Sequence, residues 1–232
     1  MRPTGTSDPV DRLVAIESRR GRSWHRLVAQ SGDTWVVDRA ALAALGFVPS
    51  DAAALPVGLG AHQRALLDEA ERATARRRVL VLLAQRARSR AELLRLMQLW
   101  PFRRESVEDA VNWAAELGYV NDRELAAQMA ARLRDSPVGR PALLARMQQR
   151  GIDPGTARQA LAEEYPPEAE QEQARRAARR RLATLRDLEP PDQARRLASW
   201  LLGRGFELET VRQVVADLLG PGACRVLGEE SS

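Results

Sequence analysis

Residues 139–152 read Gly-Arg-Pro-Ala-Leu-Leu-Ala-Arg-Met-Gln-Gln-Arg-Gly-Ile, and this stretch decides the fold. Leu143 and Met147 stand four residues apart, which places both on one face of an α-helix. The Arg-Gly-Ile that follows predicts the end of that helix, because glycine readily adopts the positive φ of a C-cap. Ala157 and Leu161, again four residues apart, predict a second helix after the break.

This pattern of apolar positions recurs in two further copies, 50 residues upstream and 54 residues downstream. The matching sets are Leu93, Met97, Phe102, Val107 and Val111; Leu143, Met147, Ile152, Ala157 and Leu161; and Leu197, Leu201, Phe206, Val211 and Val215. Arg204-Gly-Phe supplies the break in the third copy, whereas the first has Trp100-Pro-Phe, where proline stops the helix by a different route. A period of about 50 residues indicates stacked units that bury their apolar faces against their own helices and their neighbours.

A third helix is predicted before each pair. Residues 75–83 resemble residues 178–185, and residues 123–134, with Met129 and Leu133 facing inward, take that place in the second copy.

The first 60 residues have a different character. Strand-forming residues fill three stretches, 10–16, 23–28 and 34–37, separated by a turn at 19–22 and by Ser31-Gly-Asp. We expect Trp24 and Trp35 to pack across this sheet. Asp38 is typical of the N-cap of a short helix that runs through Leu45 and is closed by Gly46.

The predicted fold class is therefore mainly α, with three tandem three-helix repeats that form an elongated curved array, preceded by a small N-terminal domain containing a β-hairpin. The predicted divisions are 1–48 for the hairpin and short helix, 49–61 for a linker rich in proline and glycine, 62–120, 121–166 and 167–219 for the repeats, and 220–232 for a flexible tail.

Composition narrows the function classes. The single cysteine, Cys224, excludes a disulfide within the chain, and with only His25 and His62 we expect no metal site, no cofactor and no enzyme active site. No apolar run approaches the ~20 residues of a membrane span, and the N-terminus lacks the apolar stretch of a signal peptide, so we expect a cytoplasmic protein. The 36 basic residues are all arginine and the net charge is +5, which favours an anionic partner, although a GC-rich genome would also produce this bias.

Four segments, in order, resemble the signature segments of the RecX regulatory family. They are Arg88-Ser-Arg-Ala-Glu-Leu, Leu117-Gly-Tyr-Val-Asn-Asp, the 139–152 stretch, and Leu202-Gly-Arg-Gly-Phe-Glu-Leu-Glu-Thr-Val. The resemblance covers residues 76–219; Trp100-Pro-Phe departs from the family's turn, and the tail matches nothing. It implies a regulator that lodges in the groove of the RecA filament on DNA and inhibits ATP hydrolysis, strand exchange and coprotease activity, thereby restraining recombinational repair and the SOS response.

Arginine clusters are the candidate partner-binding residues. The clearest lie on the predicted helix over 168–188, where Ala174, Ala178, Leu182 and Leu185 make an apolar stripe and the arginines project elsewhere. The candidates are Arg175, Arg176, Arg179 and Arg180, then Arg76, Arg77 and Arg78, then Arg88, Arg90, Arg140, Arg146 and Arg150. Like charges at i, i+4 repel, which favours an external anion, but Glu170 and Glu172 could instead neutralise a solvated face.

Two alternatives stay open at this point. A helix pair with a glycine turn is also typical of a DNA-binding protein that acts directly on single- or double-stranded DNA, and a helical repeat could serve as a generic scaffold. Trp113 and Trp200 fall beside repeat positions and are expected in the core, while Trp100, in a turn, is the better surface candidate. We expect a monomer.

Overall fold

The structure, a computed structural model, describes residues 11–18, 23–47, 55–132 and 136–225. The chain divides into two compact units, an N-terminal unit that ends at Val120 and a C-terminal unit that begins at Asn121. The predicted turn at 19–22, the inward placement of Leu133 and most of the predicted tail lie outside the described residues. Within the described ranges, no helix is both long and apolar enough to cross a bilayer.

The N-terminal unit begins with an antiparallel sheet of order β3-β2-β1-β4. Its strands are β1 (Arg12–Ser18), β2 (Trp24–Ala29), β3 (Thr34–Asp38) and β4 (Val57–Gly58). The three predicted strands are confirmed. The fourth lies inside the segment interpreted as a linker and pairs with Arg12 and Leu13 of β1, so this part of the segment belongs to the sheet.

The two tryptophans of the sheet lie on opposite faces. Trp35 pairs with Leu27, whereas Trp24, three residues before Leu27 in the same strand, pairs with Asp38. Side chains alternate along a strand, so an odd separation reverses the face. The expectation that Trp24 and Trp35 pack against each other is therefore wrong. Trp35 enters the core beneath the sheet, and Trp24 packs against Trp100 on the other side.

The short helix after the sheet forms as predicted. Asp38 accepts a hydrogen bond from the Ala41 amide and caps α1 (Arg39–Ala44). Gly46, with φ of 79°, follows its end, where the Phe47 amide donates to the Leu42 carbonyl.

Three helices build each copy of the repeat, which confirms the mainly helical class. The first copy contains α2 (Ala61–Gln85), α3 (Arg90–Met97) and α4 (Arg104–Glu116); the second contains α5 (Asp122–Arg132), α6 (Arg140–Gln149) and α7 (Pro154–Glu164); the third contains α8 (Pro167–Leu182), α9 (Pro190–Gly203) and α10 (Leu208–Leu219), followed by the short α11 (Gly222–Arg225). Each copy has its own apolar cluster, and the repeat positions lie in these clusters, all buried except the half-buried Phe102. The curvature of the array stays a prediction.

The turn between the paired helices has a different conformation in the first copy than in the other two. Gly151 and Gly205 adopt φ of 78° and 76°, and the next residue donates to the carbonyl five positions back. In the first copy the Trp100 amide donates to the Met97 carbonyl instead, and Pro101 stands where the others have glycine. Proline cannot adopt positive φ, so this turn leaves α3 by a different path.

Helix α2 joins the sheet to the first copy through Glu71, which is fully buried. The Glu71 carboxylate accepts from the Val36 amide at 3.0 Å, from Ser106 Oγ at 2.7 Å and from Arg103 Nε at 2.6 Å. Donors from β3 and from the start of α4 thus converge on one buried anion, which is the arrangement that makes a buried charge tolerable.

Candidate anion-binding groove

Helix α8 buries the predicted apolar stripe and turns its arginines outward. Ala174 and Ala178 are buried, and Leu182 packs partly against the same cluster. Leu185 is also buried, but it follows the end of α8 at Leu182, so the helix predicted over 168–188 is shorter than expected. The arginines do not form one uniform face. Arg175 lies against α10, where Nη2 and Nε stand 2.6 and 3.1 Å from the Asp217 carboxylate. This candidate is therefore engaged within the protein.

The other face of α8 borders a groove of about 640 Å³ in the C-terminal unit. We call it the arginine groove; its lining residues are Pro137, Gln173, Arg176, Ala177, Arg180, Arg181, Thr184, Trp200 and Arg204. Arg176 and Arg180 come from the predicted face, and Arg179, which is exposed, is not among the lining residues. Glu172 lies on the same helix, 3.9 Å from Arg176 Nε.

Trp200 forms the apolar wall of the arginine groove. The Arg204 guanidinium carbon lies 4.3 Å from the centroid of the Trp200 ring, and that of Arg181 lies 6.0 Å away. Such cation–π contacts are worth about 0.5–1 kcal/mol at exposed sites and hold the guanidinium in place. The ring thus fixes cations from two different segments at one surface.

A second depression of about 480 Å³ continues the groove across the same tryptophan. It shares Trp200 and Arg204 with the arginine groove and adds Arg146 of α6. The continuation exists because α6 begins very close to the α9–α10 turn. The Gly139 amide donates to the Arg204 carbonyl at 3.0 Å, and a Cβ added at Gly139 would lie 2.0 Å from the Gly205 carbonyl oxygen.

The electrostatics of this surface favour an anion. Among the described residues that line the arginine groove there are four arginines and no aspartate or glutamate. Within this described region, Arg181 Nε is buried without a hydrogen-bond partner. Guanidinium groups pair bidentately with carboxylate or phosphate, so four of them around an apolar wall can bind a flat or extended anion.

The arginine cluster of α2 has a different environment. Arg76 donates from Nε and Nη2 to Asp109 at 3.1 and 2.9 Å and lies over the Trp113 ring. Arg77 Nε donates to Asp38 at 2.5 Å. Arg78 stacks on Trp100 with its guanidinium carbon 4.2 Å from the ring centroid, and burial, together with the neighbouring Arg88, lowers the Arg78 pKa.

The remaining candidate arginines lie near helix ends and bind mostly to backbone or amide oxygens. Arg88 donates to the Leu82 carbonyl, Arg90 to Asn112 Oδ1, and Arg140 to the Tyr165 carbonyl; Arg150 Nη1 lies 3.6 Å from Met129 Sδ. These contacts stabilise helix ends in the first two copies. Of this second set, the structure places only Arg146 beside the groove.

Sequence reasoning missed Arg181 and Arg204. It placed Trp200 in the core; the ring is half-buried, and it both packs against the apolar cluster of the third copy and forms the groove wall. The pairing of Trp200 with Arg204 at i, i+4 is visible in the sequence. Their meeting with Arg181 of α8 depends on how α8 packs on α9. In the described part of the chain, no cluster of histidine, cysteine or acidic side chains is arranged to hold a metal ion.

The chain matches a protein-family model and several known proteins. The model of the third three-helix domain of RecX matches residues 168–215, the segment that supplies most of the groove. The regulatory protein RecX of Chlorobaculum tepidum is 33% identical over 160 residues, which cover 68% of this chain and 97% of that protein. The chain belongs to the RecX family of regulatory proteins. RecX of Amycolatopsis mediterranei is 32% identical over 153 residues, covering 65% of this chain and 83% of the relative.

Solved RecX structures share the fold. A crystal structure of regulatory protein RecX superposes with a TM-score of 0.60 at 16% identity, covering 90% of this chain and 98% of that one. RecX from Lactobacillus salivarius gives a TM-score of 0.59 at 17% identity, covering 63% and 96%. RecX proteins are regulators without enzymatic activity, so family membership supports the expectation that this chain is not an enzyme.

Proposed function

We propose that this protein binds the RecA filament and inhibits its ATPase, strand-exchange and coprotease activities, and so modulates recombinational repair and the SOS response. Membership of the RecX family points to the partner, and the arginine groove is the observation that supports the mode of binding. The proposal places the protein in the cytoplasm, where RecA assembles on DNA, and treats it as a monomer.

In the proposed mechanism, the protein occupies the groove of the RecA filament. A nucleoprotein filament presents phosphates and acidic side chains, and a partner with a cationic groove is attracted to such a surface over about a Debye length. Once bound, the helical body opposes the subunit movements that hydrolysis and strand exchange require. Because arginines lie on two sides of Trp200, the groove can bind an extended anion through several guanidinium groups.

The decisive experiment measures the DNA-dependent ATPase of RecA with rising amounts of the full chain. Inhibition that saturates near a fixed ratio of this protein to RecA is the expected result. An ATPase rate unchanged at several-fold excess over RecA would overturn the proposed function, while the fold assignment would stand.

Groove variants test the binding mode. Arg176→Ala, Arg180→Ala and Arg204→Ala combined should raise the concentration for half-inhibition about 100-fold, because three charge-assisted contacts of roughly 1 kcal/mol each contribute about 3 kcal/mol together. The matched control removes three arginines elsewhere, through Arg104→Ala, Arg123→Ala and Arg158→Ala. All three are exposed, and none lines the groove. Equal loss in both triple variants would show that net charge acts and that the groove does not.

Direct DNA binding is the second candidate, and the combination of arginines with an exposed part of an indole ring is the observation that favours it. Salt titration without RecA separates the two. On duplex DNA, log affinity should fall by about 0.9 per phosphate contact against log salt. Inhibition of RecA by a protein with no measurable affinity for DNA alone would leave only the filament proposal.

A further inference from the structure

Helix α6 of the second copy begins without a side-chain cap. Ser89, which stands 50 residues earlier at the same place in the first copy, accepts a hydrogen bond from the Glu92 amide and completes a capping box for α3. Gly139 takes this position before α6 and makes no such bond. Serine is a better N-cap than glycine, so helix capping does not explain the glycine at this position.

The backbone conformation does not explain the glycine either. Gly139 has φ of −77° and ψ of 160°, which are extended values that any residue adopts. Gly205, which lies against it in the turn between α9 and α10, has φ of 76° and needs glycine for that reason. Another property of glycine is therefore required at residue 139.

That property is the absence of a side chain. A Cβ at Gly139 would lie 2.0 Å from the carbonyl oxygen of Gly205 and 2.4 Å from the Cα of Phe206. Both are backbone atoms of the third copy, so no side-chain rotation could make room. At the same contact the Gly139 amide donates to the Arg204 carbonyl at 3.0 Å. A side chain at residue 139 would therefore push the start of α6 away from the α9–α10 turn.

The third copy also holds the segment before α6 through α8. The Glu170 carboxylate accepts a hydrogen bond from the Arg140 amide at 2.7 Å. The Gln173 side chain donates to the Ser136 carbonyl. Residues 136–140 thus contact both α8 and the α9–α10 turn, and these bonds determine where α6 starts.

The start of α6 matters to the anion-binding surface because of Arg146. This residue lies seven positions after Gly139, and it lines the depression that shares Trp200 and Arg204 with the arginine groove. Among the described residues that line the two depressions, Arg146 is the only arginine from the second copy; the others, from the third copy, are Arg176, Arg180, Arg181 and Arg204. The place of Arg146 on this surface therefore depends on the contact between the two copies.

We propose that Gly139 is a positioning residue. By admitting the backbone of Gly205, it places Arg146 beside Trp200 and Arg204, so that one anion binds guanidinium groups from both copies. This role rests on the proposed function, which supplies the anion, whereas the backbone contact itself can be measured without RecA.

Gly139→Ala and Gly139→Ser test the contact in the absence of RecA. Hydrogen exchange followed by mass spectrometry should be faster in peptides that cover 136–140 and 204–206 in both variants, because either side chain forces these segments apart. Serine separates packing from capping: slower exchange at the start of α6 in Gly139→Ser would mean that the position acts as an ordinary N-cap, and this would overturn the proposal. Parent-like exchange in both variants would also overturn it.

The control for hydrogen exchange is Gly222→Ala. A Cβ at Gly222 meets nothing within 4 Å, so this variant should exchange like the parent in the same peptides.

Inhibition of the RecA ATPase tests the positioning of Arg146. In the parent, Arg146→Ala should raise the concentration for half-inhibition about fivefold, because one charge-assisted contact is lost. In the Gly139→Ala background the same substitution should change it less than about twofold, because Arg146 has already lost the shared anion. Arg180→Ala, which lies within the third copy, should cost about fivefold in both backgrounds.

The two arginines separate a positioning role from a merely structural one. General damage to the fold in Gly139→Ala would reduce the effects of Arg146→Ala and Arg180→Ala alike, and equal reductions, or full effects of both, would overturn the positioning role. Circular dichroism shows whether Gly139→Ala is folded. If it is not, Arg146→Ala and Arg204→Ala combined in the parent should weaken inhibition by clearly less than the product of their single effects, because both residues bind one anion. Independent effects would overturn the shared site.

Failure of the proposed function has a different signature. A parent chain that does not inhibit RecA would remove the filament as the source of the anion. The hydrogen-exchange comparison would still decide whether Gly139 determines the contact between the two copies.

Discussion

Helices α2 and α8 look alike in sequence, and their arginines face different surroundings. Each opens a copy of the repeat and carries the run Ala-Arg-Arg-Arg, at 75–78 and 178–181. On α2 the arginines meet Asp109, Asp38 and Trp100, so the cluster holds the N-terminal unit together. On α8, Arg180 and Arg181 line the arginine groove with Arg204. The same run of arginines is therefore structural in one copy and available to a partner in the other.

Each of these helices also buries one glutamate, but the two carboxylates differ in the hydrogen bonds and ion pairs that they accept. Glu71 on α2 binds the guanidinium of Arg103, a hydroxyl and an amide. Glu170 on α8 accepts the Arg140 backbone amide at 2.7 Å. Burial raises the Glu170 pKa, and the nearby Glu207 adds to the rise, although the Arg140 amide and charge act against it. One buried carboxylate is thus ion-paired at close range, whereas the other is held mainly by a backbone hydrogen bond.

Breaking the network of α2 should have the largest effect on stability. Glu71→Ala leaves the buried Ser106 hydroxyl and Val36 amide without their acceptor, while Arg103 keeps its ion pair with Asp68, so we expect the free energy of unfolding of the N-terminal unit to fall by about 2–4 kcal/mol. Urea denaturation followed by tryptophan fluorescence measures this loss. Glu69→Ala is the control: Glu69 is exposed and pairs with Arg72 at 3.3 Å, and its loss should cost at most about 1 kcal/mol. Similar losses for the two variants would contradict the network.

Matched alanine substitutions in the two arginine clusters test the difference between α2 and α8. Arg76→Ala removes a two-contact ion pair and a cation–π contact, so we expect the N-terminal unit to lose about 1 kcal/mol. Arg180→Ala lies at the exposed groove, and its effect on stability should stay within about 0.5 kcal/mol. Inhibition of RecA should respond in the opposite order, with Arg180→Ala weakening it and Arg76→Ala leaving it unchanged in folded protein. An Arg76→Ala variant that is fully stable but fails to inhibit would reverse the assignment.

The sequence predicted those parts of the fold that depend on local periodicity. The repeat positions lie in the cores because i, i+4 spacing determines the face of a helix once the helix exists. Gly151 and Gly205 have the positive φ that their turns need. The faces of Trp24 and Trp35 could not be derived, because the register of β2 against β3 depends on the geometry of their hairpin, and a shift of one residue exchanges the faces. Strand β4, two residues long, carries too little pattern to detect.

The candidate site was predictable only in part, for a similar reason. Periodicity identified the outward face of α8, and with it Arg176 and Arg180. Which arginines find internal carboxylates depends on tertiary contacts: Arg175 and Asp217 are 42 residues apart in sequence, and Arg76 and Asp109 are 33 apart. No spacing rule within one helix connects such pairs. Trp200 and Arg204 join Arg181 for the same reason, through the packing of α9 against α8.

The smallest expected effect on stability concerns Glu170, the buried glutamate that is held mainly by one backbone hydrogen bond. Because the folded pKa of Glu170 is raised, the fold favours its protonated form. The stability that this group contributes is therefore fully present below the ordinary range of glutamate, and it is lost as the pH rises through the raised pKa. Glu170→Gln keeps an oxygen that accepts from the Arg140 amide and removes the charge, so it should stabilise the C-terminal unit at pH 7.5.

Thermal unfolding of parent and Glu170→Gln at several pH values tests this sign. The gap between the two melting temperatures should be widest at neutral pH and should close as the pH falls toward 4, where the parent carboxyl is also protonated. Glu168→Gln, on an exposed residue of the same first turn, should show no such trend. A gap that widens on acidification would mean that the ionised carboxylate stabilises the fold, and α8 would then resemble α2 in its buried charge as well as in its sequence.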